Sequence, residues 1–146
     1  MMIKVRRVLT VLFALAMTIV LSPMSPASAS VVTLGKVCEG ARAVRCAWVN
    51  HDTTNNRVRG YGSVRDTTSG SDAVRVSVTL LRWNPTYERF EGVSSGGPQS
   101  DYDFVQAGTG LVTCGDGQLF RADAVWEWNG TDSGVVRSSA SVTYYC

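Results

Sequence analysis

The sequence predicts an all-β fold, a two-sheet sandwich of seven or eight short strands held by two disulfides. Three observations lead to it. Apolar and polar residues alternate with a period of two through most of the chain beyond residue 30, as expected of half-buried strands. Clusters of Gly, Asn, Asp, Ser and Pro punctuate the alternating runs. No stretch of that part carries a convincing amphipathic-helix period, and neither an internal repeat nor a linker divides it.

The first 29 residues stand apart from the fold. Lys4, Arg6 and Arg7 form a positive start, Val8 to Leu21 is mostly apolar, and Ala27-Ser28-Ala29 is a small-residue cleavage site. The apolar run is shorter than the ~20 residues of a spanning helix. The expectation is therefore a secretory signal peptide at 1–29 and one secreted domain at 30–146. Arg6-Arg7 raises the twin-arginine route, but the flanking residues fit a general secretory signal better. The first cysteine after the cleavage site is Cys38, so no lipoprotein anchor is expected and the product is extracellular, released or wall-associated. Cleavage removes three cations and leaves 117 residues with 11 basic against 12 acidic, a net of −1. The pI near 8.4 thus describes the precursor and gives no argument for nucleic acid. No later run is long and apolar enough to span a membrane. Of the mature cations only Lys36 is a lysine.

In chain order, 31–36 is a short strand and 43–50 a second, with Val44, Cys46 and Trp48 expected to face inward. A polar turn at 50–56 leads to 57–65, where Val58, Gly60, Gly62 and Val64 share one face and Arg57, Arg59, Tyr61, Ser63 and Arg65 the other. Glycines inside a strand imply a bulge, or room for a large neighbour such as Trp48 or Trp126. After a turn at 66–72, the run 73–83 alternates around Val74, Val76, Val78 and Leu80. Asn84-Pro85-Thr86 breaks it and 87–93 returns as a hairpin. Residues 94–101, rich in Gly and Ser with Pro98, read as a mobile loop, and 104–107 with 111–114 as one interrupted strand or two.

The organising stretch is 116–146, a long β-hairpin. Phe120, Ala122, Ala124, Trp126 and Trp128 alternate with Leu119, Arg121, Asp123, Val125 and Glu127, and the return strand 135–145 alternates too. A one-residue slip would expose the apolar set. Matching the faces pairs Trp126 with Val136, Ala122 with Ala140 and Phe120 with Val142, around a loop at 129–133. Asn129-Gly130-Thr131 is also a glycosylation sequon, exposed at the tip and relevant in a eukaryotic host.

Four cysteines in an exported chain argue for two disulfides. Of three connectivities, Cys38–Cys46 and Cys114–Cys146 fit best: the first pair flanks a short connection between neighbouring strands, and the hairpin brings Cys146 opposite Asp116, beside Cys114. Chain entropy assigns them about 2.6 and about 3.7 kcal/mol. The spacings lack zinc-ligand character and His51 is the sole histidine, so neither metal nor cofactor is expected.

The run Asp116-Gly117-Gln118-Leu119-Phe120-Arg121-Ala122 resembles the D-x-x-x-Y-x-C corner of immunoglobulin-like domains, with Phe120 at the tyrosine position and Ala122 at the cysteine position. The resemblance implies an immunoglobulin-like β-sandwich without the corner hydroxyl bond and the inter-sheet disulfide. More broadly, a leader, Leu81-Arg82-Trp83-Asn84, a mid-chain Cys114, a Leu-Phe-Arg-Ala strand and a terminal Cys146 are similar to small secreted actinobacterial proteins, most without an assigned function.

No catalytic constellation emerges, so the protein is expected not to be an enzyme. His51 beside Asp52 offers a minimal dyad with no nucleophile in an ordered context, and reads as a solvated loop histidine. Glu88, Glu91, Asp101, Asp103 and Glu127 show no spacing that singles out a hydrolytic pair. Asp101-Tyr102-Asp103 lacks the remainder of a calcium loop. Two features suit binding. Trp83, Tyr87 and Phe90 surround the Asn84-Pro85-Thr86 turn, where aromatic rings could stack on sugars or alternatively cover the core edge. Arg57, Arg59, Tyr61 and Arg65, extended by Arg75, form a cationic strand face for an anionic wall polymer or acidic protein, unless local carboxylates neutralise it. The expectation is a secreted, non-enzymatic binding module for an extracellular protein or cell-wall polymer. Its alternative is a protease inhibitor presenting Arg42 in the Cys38–Cys46 loop.

Overall fold

A computed structural model describes residues 30–115, 117–129 and 132–138. The leader at 1–29, most of the return strand with its Ala140 and Val142 pairings, and Cys146 lie outside the described residues. The described chain is all-β, with nine strands: β1 (Val31–Glu39), β2 (Ala43–Asp52), β3 (Arg57–Asp66), β4 (Ala73–Asn84), β5 (Arg89–Tyr102), β6 (Phe104–Gly108), β7 (Val112–Thr113), β8 (Phe120–Trp128) and β9 (Asp132–Arg137). They form two antiparallel sheets. The front sheet runs β1-β2-β3-β6, with β7 also on β3, and the back sheet runs β5-β4-β8-β9. Between the sheets lie Leu34, Ala47, Val49, Val58 and Val64 from the front and Val74, Val76, Val78, Leu80, Ala122, Ala124, Trp126 and Val136 from the back.

Nine strands replace the expected seven or eight, because Thr109 splits the edge beyond β3 into β6 and β7. Its backbone N–H and its hydroxyl both engage Gly60, so the break stays pinned to β3. The strand order is not that of an immunoglobulin domain, where the second strand is followed by one in the opposite sheet. Here β2 turns back beside itself into β3. The Asp52 carboxylate accepts from Thr54 N, Asn55 N and Asn55 Nδ2, and Asn56 takes a positive φ of 52°, which closes the chain tightly enough to keep β3 in the same sheet.

Four further expectations are corrected. The inward set of β2 is Ala43, Ala47 and Val49, while Cys46 and Trp48 are buried on the outer face. The inward face also carries Arg45 and His51, so alternation favours the Val44, Cys46 and Trp48 face and contact with the facing sheet decides otherwise. The glycines of β3 leave room for the facing sheet and not for an indole: a Cβ at Gly62 would stand 2.6 Å from that of Ala124, and one at Gly60 3.3 Å from that of Ala122. The stretch 94–101 is no loop but part of β5, paired along β4 with two irregularities. Its small residues allow β5 to close on β6, since a Cβ at Gly96 would strike the carbonyl of Gly108. As an edge strand it tolerates Pro98. Finally, the β8–β9 register differs by two residues: Trp126 faces Gly134, and Ala124 faces Val136. A shift of two preserves the faces. Gly134 decides it, because a Cβ there would come within 2.9 Å of the Trp126 indole.

Candidate binding surface on the front sheet

The outer face of the front sheet gathers side chains from four strands. Register places Trp48 opposite Tyr61 and Tyr61 opposite Gly108. The two rings stack, with centroids 5.3 Å apart and planes within 9°. Lys36 lies over Trp48 at 4.9 Å and Arg59 over Tyr61 at 5.1 Å, so the stack carries a cation at each ring. Bare Gly108 leaves space for Tyr61 and Arg59, and Arg59 Nε donates to the Thr109 carbonyl. Further along, Arg65 is opposite Phe104 and covers its ring at 4.8 Å. Arg57 is exposed at the other end of β3, opposite Asp52.

A guanidinium over a ring is attracted by the ring's quadrupole and can still use N–H donors elsewhere. Among the described residues the terminal nitrogens of Arg59 and all the guanidinium nitrogens of Arg65 have no hydrogen-bond partner. Among the described residues, no carboxylate lies within ion-pair distance of Lys36, Arg57, Arg59 or Arg65. Asp52 is the acid closest in register, but the Asn55 amide and the backbone N–H groups of Asn55 and Thr54 occupy its oxygens and hold it below the usual carboxylate range.

Four back-sheet arginines are paired instead, Arg89 with Glu91 among them, while Arg82 has no ion pair among the described residues. Arg75 meets Glu127 at 3.5 Å, and Asp123 takes both Arg121 at 2.7 Å and Arg137 at 3.5 Å. Arg75 therefore does not extend the β3 row: it belongs to β4, on the other sheet.

The aromatic group divides. Trp83 and Phe90 are cross-strand partners in an edge-to-face contact at 5.2 Å, with Arg121 over Phe90 at 4.4 Å. Tyr87 sits alone in the turn, 65 % exposed and flanked by Arg89. The three rings thus make no single flat platform. Arg42 is exposed, but its loop is tied from behind: Thr67 N donates to the Arg42 carbonyl, and Thr67 Oγ1 to the carbonyls of Ala41 and Arg42. Cys38 and Cys46, register partners, form the disulfide beneath it. Cys114 is buried and is not free, whereas Cys146 lies outside the described residues.

His51 is not a solvated loop residue. It is 5 % exposed on the inner face of β2, which continues through it, and its Nε2 pairs with Asn56 Oδ1 at 3.2 Å. The Asn56 amide nitrogen donates to the Cys114 carbonyl, so His51 orders the turn that meets β7. Asp52 points to the opposite face and the two form no dyad. Among the described residues no group of His, Cys, Asp and Glu is arranged to hold a metal ion.

No family model, curated protein or solved structure matches this chain.

Sequence reasoning missed Lys36, Trp48 and Phe104 as parts of the cationic face. The signal was present for Trp48, an aromatic on the polar-flanked side of β2, but its partner on β3 depends on register. It also missed Arg45, which points between the sheets and lies 4.1 Å over the Trp126 ring.

Proposed function

We propose that the chain is a secreted, non-enzymatic binding module whose front-sheet face takes an anionic extracellular polymer, such as an acidic cell-wall polysaccharide. One observation carries this reading. Among the described residues four cations gathered on one face of the front sheet lack carboxylate partners and two of its arginines lie over aromatic rings, while on the back sheet Arg75, Arg89, Arg121 and Arg137 are paired and Arg82 stands alone. Unpaired, ordered cations on a flat sheet offer bidentate donors to carboxylate or phosphate groups at little ordering cost. The same reading has residues 1–29 removed on export and Cys114 joined to Cys146, which suits a domain working in an oxidising compartment. Nothing in the geometry favours the protease-inhibitor alternative. An inhibitory loop must offer its carbonyl to an oxyanion hole, and those of Ala41 and Arg42 are bonded to Thr67.

The test is co-sedimentation of the mature protein with isolated cell walls and with acidic and neutral insoluble polysaccharides, in low and high salt. Retention on the acidic polymers should fall as salt screens the face. Replacing Arg57, Arg59 and Arg65 together by Gln should weaken it at least tenfold, and Arg75→Gln should not. Salt-insensitive retention, or equal loss in both variants, would refute the assignment.

A further inference from the structure

Among the described residues, three of the four unpaired cations gathered on the outer face of the front sheet share one strand, β3. We infer, on the basis of the anionic-polymer reading, that the face takes its polymer as an extended chain laid lengthwise along β3. It thereby selects linear polyanions long enough to join Arg57 and Arg59 at one end of the strand to Arg65 at the other.

Register sets this direction. β3 pairs with β2 from Arg57 to Asp66 without a break, so its alternate residues Arg57, Arg59, Tyr61, Ser63 and Arg65 all turn to the outer face. At the usual rise along a strand, Arg57 and Arg59 are about 7 Å apart and Arg57 and Arg65 about 27 Å. The charges are therefore grouped, with two arginines at one end, one at the other, and about 20 Å between Arg59 and Arg65 in which β3 supplies no cation. The outward residues of β2 and β6 include no cation either. A chain crossing the strands would thus meet Lys36 of β1 and a single arginine of β3. A chain running along β3 meets all three arginines and passes Lys36 two strands away, about 10 Å to one side.

The floor of the lengthwise path is low. Ser63 is buried, as is its register partner Cys46, and Tyr61 is half-buried against Trp48. On the other side of Ser63, Gln106 is exposed, and its amide can bond hydroxyls or anions of a passing chain. The carboxylates near the two ends pair with neither arginine. Asp52, opposite Arg57, accepts from Thr54 and Asn55, and Asp103, beside Phe104, accepts from Ser71. A short oligomer reaches the Arg57 and Arg59 pair or Arg65, but not both. A chain of about 27 Å reaches both, and because its second contact is intramolecular, affinity rises with length up to that span and then levels off.

The test uses two length series, oligogalacturonates with a carboxylate on every unit and linear polyphosphates, each with members shorter and longer than the span. They are titrated calorimetrically against the mature protein at low salt. In at least one series, passing the span should tighten Kd about tenfold or more. Arg65→Gln should reduce that gain about fivefold or more at unchanged melting temperature, Arg65→Lys should restore most of it, and Arg75→Gln should keep it in full. Equal Kd for members shorter and longer than the span, or the same gain in Arg65→Gln as in the wild type, would overturn the inference and leave the anionic-polymer reading in place. Absence of binding in both series would overturn the two together.

Discussion

Replacing Gly62 by Ala tests the closest approach of the two sheets. A Cβ built at Gly62 stands 2.6 Å from the Ala124 Cβ and 3.2 Å from a Val76 methyl, whereas carbon atoms rest about 3.5–4.0 Å apart. The sheets would have to part locally by about 1 Å, at a point where β3 is bonded on both sides and β8 lies between β4 and β9. Overpacking of this kind costs about 1–3 kcal/mol, offset in part by the ~0.5–1 kcal/mol that alanine gains over glycine through backbone entropy. The net expectation is a loss of about 1–2 kcal/mol, or a fall in Tm of about 3–12 °C for a domain of this size. Two neighbours calibrate it. Gly60→Ala meets Ala122 and Leu80 at 3.3 Å and should be near neutral, while Gly92→Ala touches only a Thr79 methyl at 3.5 Å and should be neutral or slightly stabilising. Adding Ala124→Gly should rescue Gly62→Ala, with a positive coupling in the double-mutant cycle. Chemical denaturation of the mature protein and the five variants, Ala124→Gly alone included, gives the ranking and the coupling. Equal stability of the Gly62 and Gly92 variants would refute the close approach.

Two further outcomes are expected. The carboxyls of Asp66, Asp52 and Glu91 lie below their ordinary range, held there chiefly by hydrogen bonds from Thr68, Asn55 and Asn84 respectively. A depressed native pKa gives stability that is present above the unfolded value of about 4 and lost as pH falls through the native one. Tm should therefore be nearly flat from pH 7 to 5 and drop below about pH 4, with a shallower drop in Asp66→Asn; a Tm unchanged at pH 3 would remove this account. Intact mass and non-reduced peptide mapping of the exported protein should give a chain starting at Ser30 with Cys38–Cys46 and Cys114–Cys146 pairs. Replacing Cys38 and Cys46 by Ala should cost about 2.6 kcal/mol from loop entropy, and a mapped Cys38–Cys114 pair would contradict the disulfide seen on the front sheet.

Position within the fold explains which candidate site residues were legible. Arg57, Arg59, Tyr61 and Arg65 stand two or four apart on one strand, so alternation alone groups them on one face. Trp83 and Phe90 flank a turn and are brought together by hairpin closure. Lys36, Trp48 and Phe104 reach the same face from three other strands, and nothing local in the chain relates them to β3.

The sequence by itself determined the all-β class, the main strands and the inner faces of β3, β4 and β8, because a period of two with one apolar side has a single way to bury itself. It also determined that Cys38 and Cys46 could meet. Tertiary structure alone decided the rest. The inward face of β2 carries Arg45 and His51 between its apolar residues, so its inward side was settled by the sheet that covers it. A two-residue slip of β9 leaves every face unchanged, so its register was settled by the fit of Gly134 under Trp126. The weakly patterned Gly/Ser stretch became a strand because β4 offered it a row of backbone partners and β6 lay too close for larger side chains. Alternation specifies faces, whereas register, neighbours and charge pairing are set by contacts between residues far apart in the chain.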